Sequence, residues 1–102
     1  MDKFVKQNFE ENKILEQTSL EEPPELKVVL YNDDFTTVDF VVEVLISIFN
    51  KSKEDANCLM TDAQNYGSSV IGTYAYDIAV SLCDLTKTVA RKNGFPLRVE
   101  VE

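Results

Sequence analysis

The sequence predicts an α+β domain, one sheet covered by helices, from residue 25 to residue 102. Three observations lead there. Two stretches, 26–31 and 97–101, alternate apolar with other residues at a period of two, as half-buried strands do. Three longer stretches repeat apolar residues at helical spacing. A short β-branched run at 70–74, between the second and third of these, supplies a further strand. The order is therefore strand, helix, helix, strand, helix, strand, which calls for helices packed on one sheet.

Each element has its own signals. Leu26, Val28 and Leu30 alternate with Lys27, Val29 and Tyr31 in the first strand. The strand stops at Asn32-Asp33-Asp34, three polar residues of turn-forming type. Thr36 or Thr37 can cap the first helix, and Thr36-x-x-Asp39 resembles a capping box. Val38, Val41, Leu45 and Ile48 share one face, widened by Phe40, Val44 and Phe49. Asn50-Lys51-Ser52 breaks that run, and Ser52-x-x-Asp55 caps the second helix. Its stripe is Ala56, Leu59, Met60 and Ala63, and Gly67 closes it in the left-handed conformation. Ser68 and Ser69 read as an extension of that turn, and Gly72 marks a bulge or close packing within the following strand. The third helix spans 76–92 with a stripe of Ile78, Ala79, Leu82, Cys83, Thr86, Val89 and Ala90. Lys87, Arg91 and Lys92 favour its C-terminal dipole, and Asn93-Gly94 ends it. Leu97, Val99 and Val101 then alternate with Arg98, Glu100 and Glu102.

Residues 1–24 read differently. They hold six acids and three lysines with scattered apolar residues, and end in Glu21-Glu22-Pro23-Pro24. No period holds for more than a turn, so this is a flexible N-terminal extension, either a solvated leader or a segment offered to a partner.

Bulk properties narrow the function. A net charge of −8 argues against nucleic acid and against an anionic membrane surface. No apolar run approaches the roughly 18 residues of a spanning helix, and no signal-peptide core is present at the N-terminus, so a cytoplasmic protein is expected. With no histidine, Ser–His–Asp triads, Cys–His pairs and histidine-ligated metals are excluded. Cys58 and Cys83 both sit inside apolar helical patterns and are expected as buried small hydrophobes, not a metal pair or disulfide. No metal, cofactor or catalytic residue is called for.

Asn32 and Asp34 form the best candidate site. An ammonium group has three donors and is costly to desolvate unless each meets an oxygen. The Asn32 and Asp34 side chains offer such oxygens, and Val38, Val41, Met60 and Ala63 are expected on inward helix faces beside them. A ligand with a cation at one end and an apolar group at the other suits this, and the first residue of a peptide is one. A plain turn and a divalent-cation site remain open as readings of the same residues.

These residues also carry a family resemblance. Pro24-Glu25-Leu26-Lys27-Val28-Val29-Leu30-Tyr31-Asn32-Asp33-Asp34-Phe35-Thr36 resembles the "KVxLxNDDxT" signature of ClpS, the adaptor of the bacterial Clp protease. The likeness continues through Phe40-Val41, Leu59-Met60, Gly67, Gly72-Thr73-Tyr74, Ala79 and Phe95-Pro96-Leu97, over 25–102 without a gap. It implies a ClpS-like adaptor domain with a three-stranded antiparallel sheet and three helices. It further implies binding of proteins by a hydrophobic N-terminal residue, the N-degron, and delivery to an AAA+ unfoldase of the ClpA or ClpC type. The α-amino group would be held by Asn32, Asp34 and Gln64, the last at a position the family usually gives to histidine. Leu30, Thr36, Val38, Val41, Met60, Ala63 and Leu97 would line the side-chain pocket, with Val38 where many members have methionine. Asp77 matches an acid on the unfoldase-facing surface, while Leu82 stands where a lysine is usual. The extension before the domain would engage the unfoldase. The alternative is a small interaction domain of the same fold with a different, non-degron partner.

Overall fold

The alternating run after Pro24 forms β1 (Glu25–Tyr31), and its inward residues Val28 and Leu30 are buried. In the computed structural model, which describes residues 24–102, β1 is the central strand of a three-stranded antiparallel sheet ordered β2-β1-β3. The N-terminal extension expected at 1–24 lies, except for Pro24, outside the described residues. The remaining elements are α1 (Val38–Ser47), α2 (Lys53–Tyr66), β2 (Ser68–Ala75), α3 (Tyr76–Lys92) and β3 (Arg98–Val101). This is the predicted order of strands and helices.

Local signals explain most element ends. Thr37, not Thr36, caps α1: its hydroxyl accepts from the Phe40 N–H at 3.2 Å. The Thr36–Asp39 capping box does not form, because the Thr36 hydroxyl donates to Asp33 instead. Ser52 caps α2, accepting from the Asp55 N–H at 3.1 Å. Gly67 terminates α2 at φ 92°, and its N–H donates to the Ala63 carbonyl at 2.8 Å. Asn93 and Gly94 end α3, with N–H groups bonded to carbonyls of the last turn.

β2 begins two residues earlier than the sequence suggests. Ser68 pairs with Tyr31 and Ser69 with Leu30, and the Ser69 hydroxyl donates to the Leu59 carbonyl at 2.8 Å. Serine is tolerated in this strand because α2 satisfies its side chain. The register slips between Val28–Gly72 and Val29–Val70, leaving Ile71 as the extra residue of a bulge. Ile71 is buried in the core. Gly72 lies opposite Val28, where an added Cβ would come within 3.0 Å of the Tyr74 hydroxyl, so the position marks both a bulge and close packing.

One core joins all these elements. It holds Val28 and Leu30 of β1, Val41, Val44 and Leu45 of α1, Phe49, then Ala56, Met60 and Ala63 of α2. Ile71 of β2, Ala79, Cys83 and Ala90 of α3, Leu97, and Val99 of β3 complete it. Phe40 packs its ring 4.7 Å from that of Phe95, and the Arg91 guanidinium donates to the Phe95 and Leu97 carbonyls. These contacts fix the loop that presents Leu97. Three expected core residues lie elsewhere: Val38 is exposed at the start of α1, Ile78 on the flank of α3, and Cys58 on α2. The α2 stripe is narrow, and Cys58 falls between its buried Ala56 and half-buried Leu59.

Candidate functional site

Where β1 ends, the chain does not leave the sheet at once. The Asn32 N–H donates to the Gly67 carbonyl at 3.0 Å, extending the Tyr31–Ser68 pairing by one rung. The first polar residue after β1 is thereby tied to the cap of α2. Gln64 lies three residues before that cap, so Asn32 and Gln64 belong to the same corner.

Asp33 builds the turn that follows. One carboxylate oxygen accepts from the Phe35 N–H at 2.8 Å and the Thr36 N–H at 2.7 Å. The other accepts from the Thr36 hydroxyl at 2.8 Å. Burial pushes the Asp33 carboxyl up, but the Thr36 and Phe35 N–H groups, the Thr36 hydroxyl and the charge of Arg91 outweigh it, and the group sits below its ordinary value. The turn reading of Asn-Asp-Asp thus holds for its middle residue. Among the described residues, the side chains of Asn32, Asp34 and Gln64 make no hydrogen bond, and all three are exposed.

The apolar candidates divide by burial. Leu30, Val41, Met60, Ala63 and Leu97 are all buried in the common core. Thr36 is half-buried, with its hydroxyl committed to Asp33. Val38 is 43% exposed, contrary to the inward placement expected from its helical spacing. It is the first residue of α1, directly after the Thr37 cap.

Asp77 is elsewhere. It lies in the first turn of α3, directly after β2, and its carboxylate accepts from the Ile78 N–H at 3.1 Å. The β1–β2 ladder runs from Tyr31–Ser68 beside the corner to Glu25–Ala75 beside Asp77. Six strand steps separate these ends, about 20 Å.

Sequence reasoning missed the special role of Asp33 and two exposed aromatic residues of the corner, Phe35 and Tyr66. Asp-x-x-Thr before a helix was the available signal for the first. Nothing in the sequence distinguishes an exposed aromatic residue from a buried one. Among the described residues, no group of three or more His, Cys, Asp or Glu is arranged to hold a metal ion. No helix among them is long and apolar enough to cross a membrane.

Known proteins share this architecture. The family model described as "ATP-dependent Clp protease adaptor protein ClpS" matches residues 21–100. A relative from Treponema denticola, an ATP-dependent Clp protease adapter protein ClpS, is 52% identical over 81 residues, covering 79% of this chain and 80% of its own length. One of the same name from Clostridium acetobutylicum is 41% identical over 95 residues, 93% of each chain. Among solved structures, Agrobacterium tumefaciens ClpS2 bound to L-phenylalaninamide superposes with a TM-score of 0.77 at 33% identity. That match covers 79% of this chain and 98% of the other. The chain belongs to the ClpS family of ATP-dependent Clp protease adaptor proteins.

Proposed function

We propose that this adaptor binds proteins by a hydrophobic N-terminal residue together with its free α-amino group, and hands them to an AAA+ unfoldase of the Clp protease, of the ClpA or ClpC type. Asn32, Asp34 and Gln64 receive the ammonium group. Leu30, Thr36, Val38, Val41, Met60, Ala63 and Leu97 surround the first side chain. Residues 25–102 form the adaptor domain, and residues 1–24 are an extension that engages the unfoldase.

The observation that carries this reading is the division of work within Asn32-Asp33-Asp34. Among the described residues Asp33 alone supplies side-chain acceptors to the turn, and the side chains of its two neighbours make no hydrogen bond. A cation is the natural complement of a carboxylate and two amide oxygens held on fixed backbone. The ligand of the Agrobacterium tumefaciens relative, L-phenylalaninamide, supports the choice of cation: it joins an ammonium group to a benzyl side chain. Asp77 fits a second role. It lies at the far end of the ladder, where an unfoldase could dock without covering the substrate.

The test compares one peptide beginning with Leu or Phe in its free and N-acetylated forms. Acetylation removes the charge and two of the three donors, so binding to the acetylated form should be lost. Equal affinity for the two overturns the proposal. Asn32→Ala and Asp34→Ala should each weaken binding of the free peptide by about 1.5–3 kcal/mol, the scale of a hydrogen bond to a charged group.

A further inference from the structure

The large apolar side chains left exposed among the described residues fall into groups. Tyr76, Ile78 and Leu85 lie on α3, and Val70 lies on β2. Phe35, Val38 and Tyr66 lie on the segments that the Asn32–Gly67 bond joins. Within this last group, Phe35 is 77% exposed and Tyr66 79% exposed, so neither ring contributes much to the core. Their backbones are nevertheless pinned. The Phe35 N–H is held by Asp33, and Tyr66 immediately precedes the left-handed Gly67 cap. The turn and the cap therefore stand without the rings, which are held out on a fixed frame.

We infer that Phe35 and Tyr66 form a rim subsite that receives the second and third residues of a bound polypeptide and favours aromatic or aliphatic side chains there. This rests on the reading of the corner as an ammonium site. A polypeptide held by its α-amino group must leave across the rim, advancing about 3.3 Å per residue. Its second and third residues therefore pass within about 10 Å of Asn32. Phe35, three residues from Asn32, lies inside that radius, and Tyr66 adjoins the residue whose carbonyl Asn32 contacts. Aromatic side chains suit such a place, because each presents a large area while immobilising only two side-chain torsions. Among the described residues neither ring stacks on another, and their exposure leaves both accessible to a ligand.

The experiment uses the full chain and labelled peptides with free amines beginning Leu-Ala-Ala, Leu-Phe-Ala and Leu-Ala-Phe, with identical tails. Acetylated Leu-Ala-Ala is the control. Wild-type protein should bind at least one Phe-bearing peptide about 3- to 10-fold more tightly than Leu-Ala-Ala, the range of an aromatic contact. In the Phe35→Ser/Tyr66→Ser double variant that advantage should fall below about twofold. Phe35→Tyr, which keeps a ring, should retain it. Equal wild-type affinities for the three free peptides overturn the subsite, as does an advantage that survives in the double variant. If free and acetylated Leu-Ala-Ala bind alike, the ammonium reading itself fails. A flat peptide ranking with full dependence on the free amine removes only the rim.

Discussion

Asp33 and its neighbours show how three similar residues come to do different things. Asp33 turns inward and accepts three hydrogen bonds within its own loop. Because its folded carboxyl lies below the ordinary carboxylate value, it contributes stability above that ordinary value and loses it as pH falls through the folded value. The expected outcome for Asp33→Asn is a loss of about 0.5–1.5 kcal/mol in urea unfolding at pH 7. That difference should shrink as the pH drops below the ordinary carboxylate value. A gap that stays constant down to strongly acidic pH contradicts the assignment. At this scale the sequence was informative about chemistry but not about orientation. Asn32 and Asp34 stand out as acceptors by type alone. Which of the three carboxamide and carboxylate groups the turn consumes depends on where the Thr36 hydroxyl points, and Thr36 had two plausible duties.

Among the elements, α2 and its cap matter most to the corner. Gly67 has φ 92°, and no atom lies within 4 Å of the place where a Cβ would sit. The cost of Gly67→Ala is therefore backbone strain without steric clash, about 1–2 kcal/mol of stability. Since the Gly67 carbonyl also receives the Asn32 N–H, the same variant should weaken binding of a Leu-initiated peptide. Thermal unfolding and peptide titration would check the two effects separately. Elements with strong punctuation were legible from the sequence. α3 runs from Tyr76 to Lys92 as its stripe and the Asn93-Gly94 stop indicate. Where punctuation misled, a tertiary partner decided the matter. Ser68 and Ser69 look like turn residues, yet they pair with Tyr31 and Leu30, and α2 takes up the Ser69 hydroxyl. Ile78 and Cys58 repeat at helical spacing but fall at the flanks of their stripes, where burial depends on what packs alongside.

For the molecule as a whole, the central strand sets the geometry. β1 carries the corner at one end and lies beside the start of α3 at the other, with core residues between them. Leu45 is fully buried in that core, so Leu45→Ala should cost about 2–5 kcal/mol in denaturant unfolding. A smaller loss would show that the helices can close over the gap. The order of strands and helices, and the burial of Leu30, Val41, Met60, Ala63 and Leu97, could be anticipated from periodicity. The exposed positions of Val38, Phe35 and Tyr66 could not, because periodicity says which face a residue occupies and not whether another segment covers it.

The bulge at Ile71 has a consequence for how copies of this chain behave together. β2 is an edge strand of eight residues, long enough to invite another chain to add alongside it. An extra residue breaks the regular spacing of N–H and C=O groups and sharpens the local twist, so a straight incoming strand cannot pair along the full edge. The distortion that delivers Ile71 to the core therefore also makes the sheet a poor template for aggregation.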